Sequence, residues 1–263
     1  MPRKSPGKLQ VWRVGMLRYD RALALQRYVM EDRILGHDDV LISVQHPPAI
    51  TLGRHRLSHA ILTPHSELRR LGIEIYHTDR RGEVTMHLPG QPVLYPIVSL
   101  RAIEMGLRNF LEVLEDVMLG VAKSHGIDAE VRVPFEAGCW IERQRQIGAI
   151  GLRLTGGVTT HGLAFNAKPD LGYFSHIVPC CGLAGKEATS LAKELGSPDG
   201  VDEEAVTEQL IDKFVEIMGY KKVANRSFNM EKLVPSLDRL ITVRAGDGGR
   251  RWLLKLKEMD QHH

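Results

Sequence analysis

Two adjacent cysteines, Cys180 and Cys181, lie in the run HIVPCCGLAGKEATSL (176–191), after a proline and before a glycine. A thiolate is a strong nucleophile, and a covalent intermediate on sulfur divides one difficult transfer into two easier ones. The pair could instead ligate a metal or fill the core as small hydrophobes. A zinc site needs about four ligands with C-x₂₋₄-C spacing, and nothing else in the chain supplies them, so no metal is expected.

Three stretches are rich in glycine, histidine and small residues where a sheet should show bulk: RRGEVTMHLPGQ (80–91), IGAIGLRL with TTHGLAFN (147–166), and the cysteine run itself. Glycine within a strand marks close approach of a ligand or another backbone. Gly148 and Gly151 in one strand, with Gly162 in its hairpin partner, predict a slot for an extended apolar group; a set of bulges is the alternative.

The elements that must position these residues follow from periodicity. LQVWRVGML (9–17), VLISVQ (40–45) and IEIYHT (73–78) read as strands, and 19–34 as a helix with Ala22, Leu25 and Val29 on one side. SELRRLG (66–72) is a short helix closed by glycine, and 82–100 is two extended runs around a Pro-Gly turn. Leu107, Phe110, Leu111, Leu114, Val117, Met118 and Val121 follow helical spacing over 105–124 and predict one face on a sheet. Strands are expected at AEVRV (129–133), GCWIE (138–142), 145–154 and 158–167, the last two joined by Thr155-Gly156-Gly157. A further helix spans 202–220, with Val206, Leu210, Phe214 and Ile217 inward. Strands dominate the middle and no regular strand-helix-strand alternation appears. The expected class is α+β, with mainly antiparallel or mixed sheets flanked by helices.

The chain has 263 residues, 43 % hydrophobic and 25 % charged, which is ordinary globular composition. Its net charge of +3 is unevenly spread: ten Lys or Arg against five acids make residues 221–263 +5, leaving 1–220 at −2. The body therefore lacks the basic surface that nucleic-acid binding needs. Residues 1–220 are expected to be one catalytic domain and 221–263 a mobile basic extension, with a strand near 240–244 as the alternative. Three cysteines suit a reducing compartment, and no apolar run approaches the roughly 20 residues of a membrane span. Arg3, Lys4, Lys8, Arg13 and Arg18, without an acid among the first nineteen residues, suit an organelle-import segment.

Read together, Arg80, Gly82, Thr85, His87, Pro89, Gly90, Gln91 and Tyr95, then IGAIGLR, HGLAFN, HIVPC and TSL, with HPPAITLGR before them, resemble the lipoyl(octanoyl) transferases over about residues 8–220. The cysteine run most resembles mitochondrial members. The resemblance implies the fold of biotin and lipoate protein ligases and a two-step acyl transfer without ATP, metal or other cofactor. Octanoyl would pass from acyl carrier protein to a cysteine, and then to a lysine of lipoyl domains in 2-oxoacid dehydrogenase complexes or the glycine cleavage H protein. No nucleic acid or membrane partner is implied, and a mitochondrial location is. Carried over, the substrate-binding set is Arg80, Arg81, Gly82, Glu83, Val84, Thr85, Met86 and His87; Ala149, Ile150 and Gly151; and Gly162, Leu163 and Ala164.

Three departures from the family pattern stand out. One cysteine is expected between proline and glycine: counting from Ile177 and Pro179 selects Cys180, whereas counting back from Gly182 and Thr189 selects Cys181, which is preferred. Where the family carries a lysine that holds the thiolate and moves protons, this chain has Gln146, whose amide cannot titrate. Arg145 next to it points to the opposite face of a strand. His87, His161 and Lys186 are possible substitutes, of which His161 best suits proton transfer near neutrality. Arg81 and Leu88 replace glycines and add bulk beside the pocket. Arg81 either meets an acidic or phosphate group of a carrier or is simply solvated. Two rivals follow: an ATP-dependent lipoate or biotin protein ligase, and a catalytically weak acyl-protein binder.

Overall fold

The computed structural model describes residues 4–54, 58–134, 136–178, 185–197, 200–228 and 230–243. Both Cys180 and Cys181 lie outside the described residues.

A large mixed sheet organises the molecule. Its strands are β1 (Lys8–Met16), β2 (Asp39–Gln45), β6 (Val93–Ile97), β7 (Gly138–Ile141), β8 (Arg145–Thr155), β9 (Val158–Phe165), β10 (Glu187–Ala188) and β11 (Lys222–Ser227). They run in the order β10-β8-β9-β6-β2-β1-β11, and β7 pairs with β8 as well. The pairs β2/β6, β6/β9, β8/β9 and β7/β8 are antiparallel; β1/β2, β1/β11 and β8/β10 are parallel. A small sheet, β4-β3-β5, is built from β3 (Ala49–Leu52), β4 (Glu74–His77) and β5 (Val84–His87).

Helices cover both faces of the large sheet because its central strands are apolar on both sides. In β2, Leu41 joins a core with α3 (Leu107–Ser124), the short α4 (Leu191–Glu194) and α5 (Glu203–Met218). Val40, Ile42 and Val44 join the opposite core with α1 (Tyr19–Ile34). Such a strand reads as a continuous hydrophobic run rather than an alternation. Phe110, Leu114, Val117, Met118 and Val121 of α3 are buried, as their spacing requires. Asp202 caps α5 by accepting from the amides of Glu204 and Ala205, and Gly219 at φ 75° ends it. The small sheet, with α2 (His65–Arg70), forms a third core that includes Leu68 and Met86.

Several expectations need correction. Ala129–Val133 makes only isolated bridges, Glu130 to Trp140 and Val133 to Glu136, and Arg132 at φ 58° breaks its extension. The two extended runs around the Pro89-Gly90 turn are present as expected, and they enter different sheets: β5 pairs with β3, and β6 with β2 and β9. Gly90 is required at that crossing, since φ is 81° and a Cβ would lie 2.8 Å from the Lys168 carbonyl oxygen.

The extension is not detached over its first half. β11 pairs in parallel with β1, and α6 (Met230–Val243) packs Leu233 and Leu237 into the α1 core. Arg21 holds Asp238 at 2.7 and 3.0 Å. Residues 240–243 are therefore helical, not a strand. At the other end Lys8 and Arg13 belong to β1, so they are part of the folded sheet.

Candidate active site

The β8–β9 hairpin faces β5 of the small sheet across a gap, and glycine determines how closely each neighbour approaches. Gly151 pairs with Gly162 in the ladder. A Cβ on Gly162 would lie 2.0 Å from the Leu94 carbonyl oxygen, so this glycine exists for the approach of β6. A Cβ on Gly148 would lie 2.4 Å from the Met118 sulfur, which makes it a seat for α3. Gly151 faces the gap, where a Cβ would meet the Arg80 side chain at 2.9 Å. All three glycines line the predicted slot, while the Cβ position of each is claimed by a different neighbour.

Arg80 lies across the gap, buried to 6 % exposure. Its Nη2 donates to the Thr51 carbonyl (2.8 Å), the Thr51 hydroxyl (3.0 Å) and the Glu83 carbonyl (3.0 Å). The guanidinium is thereby tied to the small sheet while the aliphatic stem faces Gly151.

Two joined compartments result. The outer one, about 600 Å³ counting open solvent, is lined by Gly82, Val84, Met86, Gln146, Asn166, Ile177 and Ala188 among others. The inner one, about 320 Å³ counting open solvent, has the buried rings of Tyr19, His87, Tyr95 and His161 in its walls, with Gly151, Gly162 and Leu163. Arg80, Thr85, Ala149, Ile150 and Ala164 line both. Ile177 precedes the two cysteines by a few residues and Ala188 follows them, so the described ends of that stretch border the outer compartment.

Hydrogen bonds fix the state of the inner compartment. Gln91 donates its amide to the Met86 carbonyl (3.1 Å) and to Asn166 Oδ1 (2.9 Å), so its oxygen accepts from His87 Nδ1 at 2.8 Å. Nε2 of His87 is then an acceptor, with no hydrogen bond to it among the described residues. Asn166 continues the chain by donating to the Thr189 carbonyl at 2.8 Å. His46 donates from Nδ1 to the Leu17 carbonyl (2.7 Å) and accepts at Nε2 from the Tyr95 hydroxyl (2.8 Å). His161 donates from Nε2 to Asp79 at 3.0 Å, with the Tyr19 hydroxyl 3.5 Å from Nδ1. Its backbone is at φ 59°, held by the Gln26 side-chain oxygen accepting from the His161 amide at 2.7 Å.

Burial keeps all three imidazoles neutral. It lowers His46 to about 4, takes His87 well below its ordinary value with His46 adding to the effect, and lowers His161 against the opposing pull of Asp79. Asp79 is down at about 2, through the hydrogen bond from His161 and then Arg153, whose Nη1 is 2.9 Å from Oδ2. The one charge in the lining of the inner compartment is Arg80, whose guanidinium is tied to Thr51 and Glu83. The compartment suits an apolar chain.

The expected site residues separate into groups. Arg80, Gly82, Val84, Thr85, Met86, His87, Ala149, Ile150, Gly151, Gly162, Leu163, Ala164, His161 and Gln146 all line one compartment or both. Arg81 lies instead in a separate recess with Arg54, Asp79 and Arg153, and Glu83 lines neither compartment but gives its carbonyl to Arg80. Leu88 is core of the small sheet, so its bulk is not beside the slot. Gln146 and His161 sit in different compartments. Arg145 binds Glu194 at 2.9 and 3.1 Å and Glu142 at 2.6 Å, away from the slot. Lys186 is engaged by Glu136 at 2.9 Å and by the Arg143 carbonyl, over the Trp140 ring. Burial pushes the Cys139 thiol up to about 12, which makes it inert packing.

Sequence reasoning passed over Tyr19 and Asp79, and quoted His46 and Asn166 only as members of the HPPAITLGR and HGLAFN motifs without giving them a role. The available signals were modest: Tyr19 is three residues before Ala22 on the buried face of α1, and His46 ends an apolar strand just before two prolines.

Residues 18–215 match the lipoyl protein ligase A/B catalytic domain family. The mitochondrial octanoyltransferase of Arabidopsis thaliana is 44 % identical over 224 residues, 84 % of this chain and 93 % of the relative. An octanoyltransferase of Alkaliphilus metalliredigens is 37 % identical over 213 residues, 81 % of this chain and 96 % of the relative. Among solved structures, lipoate-protein ligase A bound with ATP superposes with a TM-score of 0.70 at 14 % identity, covering 89 % of this chain and 93 % of that one. A bipartite lipoate protein ligase of Thermoplasma acidophilum gives 0.66 at 16 % identity, covering 88 % and 91 %. At such identity these two carry the fold alone.

Proposed function

This chain belongs to the lipoyl protein ligase A/B catalytic domain family and is an octanoyltransferase, and from that premise we propose that it carries octanoyl as a thioester on Cys181 or Cys180, between octanoyl-acyl carrier protein and a lysine of a lipoyl domain. The observation that carries this reading is the two-compartment slot: an inner end whose one lining charge, Arg80, is tied to Thr51 and Glu83, and an outer end bordered by Ile177 and Ala188, the described residues on either side of the cysteines.

In the first step the cysteine sulfur attacks the thioester carbonyl of the donor; the carrier thiol leaves and takes up the proton that the cysteine lost. In the second, the lysine amine attacks the enzyme thioester, and the cysteine sulfur leaves with a proton from the amine. Each step is proton-neutral overall. Arg80 is the sole ionisable side chain among the described residues lining the outer compartment. His161, engaged with Asp79 at the inner end, has no proton to move at the outer one. Gln146 would act there as a hydrogen-bond donor to the thioester oxygen, a role its amide can fill without titrating. The acceptor lysine and the mitochondrial location belong to the same proposal, the latter resting on the Arabidopsis relative.

The test is to mix the full chain with octanoyl-acyl carrier protein and measure the mass of the peptide holding both cysteines. One octanoyl adduct is expected without ATP, lost in Cys181→Ser and retained in Cys180→Ser. Loss in Cys180→Ser alone assigns the other sulfur, and no adduct in the wild type refutes transfer through cysteine.

A further inference from the structure

We propose that the Tyr19 ring, standing beside His87 at the closed end of the inner compartment, sets the length of acyl chain the slot accepts, and that the Ala149–Ala164 pair is the narrow passage leading to it. This rests on reading the slot as the acyl site.

The end of the inner compartment is a wall of buried rings. Tyr19 and His161 are each 2 % exposed, Tyr95 3 % and His87 6 %. Tyr19 is held on every side: stacked on His87 at 5.5 Å, tilted against His46 at 5.2 Å and Tyr76 at 5.3 Å, with its hydroxyl at His161. A ring so packed cannot swing aside without opening a void.

One feature makes the wall a chemical stop as well as a steric one. Nε2 of His87 is an acceptor, and methylenes pressed against it would deny it any donor. Behind Tyr19 stands Tyr76, which is partly exposed, so shortening Tyr19 would extend the slot toward the surface. The approach is narrow for a different reason. Ala149 and Ala164 are opposed in the ladder and line both compartments, so the chain must run over two methyl groups.

Apolar transfer alone would tighten binding about fourfold for each added methylene. A fixed end reverses that trend at one length. Hexanoate, octanoate, decanoate and dodecanoate titrated calorimetrically into the full chain should show rising affinity to octanoate and a fall of about tenfold or more by dodecanoate. Tyr19→Val should let affinity keep rising through dodecanoate, Tyr19→Phe should keep the wild-type limit, and Ala164→Val should move it down to hexanoate.

Affinity that climbs through dodecanoate in the wild type overturns the proposal, as does an unmoved limit in a Tyr19→Val variant whose circular dichroism is native. If Tyr19→Val does not fold, an unmoved limit in Ala164→Val overturns it. The titration does not involve the cysteines. A chain-length limit without any thioester therefore refutes transfer alone, and a thioester without a limit refutes this inference alone.

Discussion

Lowering the pH from 7.5 to 5 should destabilise the folded chain by about 2 kcal/mol through His46 alone. His46 is 0 % exposed and its folded-state pKa is about 4 against an ordinary 6.5. Below pH 6.5 the unfolded chain takes up a proton that the folded chain refuses until about pH 4, so stability is full above 6.5 and is lost as pH falls through that window. At pH 5 the deficit is about 1.5 pKa units of proton binding, or about 2 kcal/mol at 1.36 kcal/mol per unit. His87 and His161 are lowered too and act with the same sign. Asp79 at about 2 loses its contribution only below its ordinary 3.8, outside the tested range. Glu115, raised by burial, acts in the opposite sense across the carboxylate range just above 4.5. Urea denaturation at the two pH values should show the midpoint about 1 M lower at pH 5 for a slope near 2 kcal/mol/M. His46→Gln keeps a donor for Leu17 and an acceptor for Tyr95, and should flatten the dependence by its share. A wild-type midpoint that is the same at both pH values would refute the neutral-imidazole account of the inner compartment.

Three more outcomes follow from other parts of the molecule. Gln146→Lys should speed acyl-enzyme formation by up to about 10²-fold, because a positioned acid/base group is then added at the outer compartment; a burst experiment with octanoyl-carrier measures it, and an unchanged rate would mean that Gln146 is not near the reacting atoms. Gly162→Ala should lower thermal stability severely and separate β6 from β9, since its Cβ would fall 2.0 Å from the Leu94 carbonyl oxygen. Leu237→Ala, at a site with 0 % exposure on α6, should cost about 2–5 kcal/mol in urea melts, and a neutral result would mean that α6 is not core.

Local pattern alone carried a large part of this protein. The bounds of α1, the inward faces of α3 and α5, the β8–β9 hairpin and its Gly-Gly turn are readable because each depends on residues only a few positions apart. The motif set likewise marks the slot-lining residues from Arg80 to Ala164, since backbone close to a ligand or another strand demands small residues whatever surrounds them. Local pattern misled where a partner from elsewhere decides the outcome. β11 and α6 look like a basic tail, yet β1 offers an unpaired edge and α1 an apolar face, and both are supplied by residues some two hundred positions away. Glycine at 148, 151 and 162 looks alike in one dimension, and only packing assigns the three to α3, to Arg80 and to β6. The same holds for protons. Histidine in a sequence signals titration near neutrality, but His46, His87 and His161 are neutral because the surrounding folded chain excludes water from them, and exclusion of water is a property of the assembled volume rather than of any neighbouring residue.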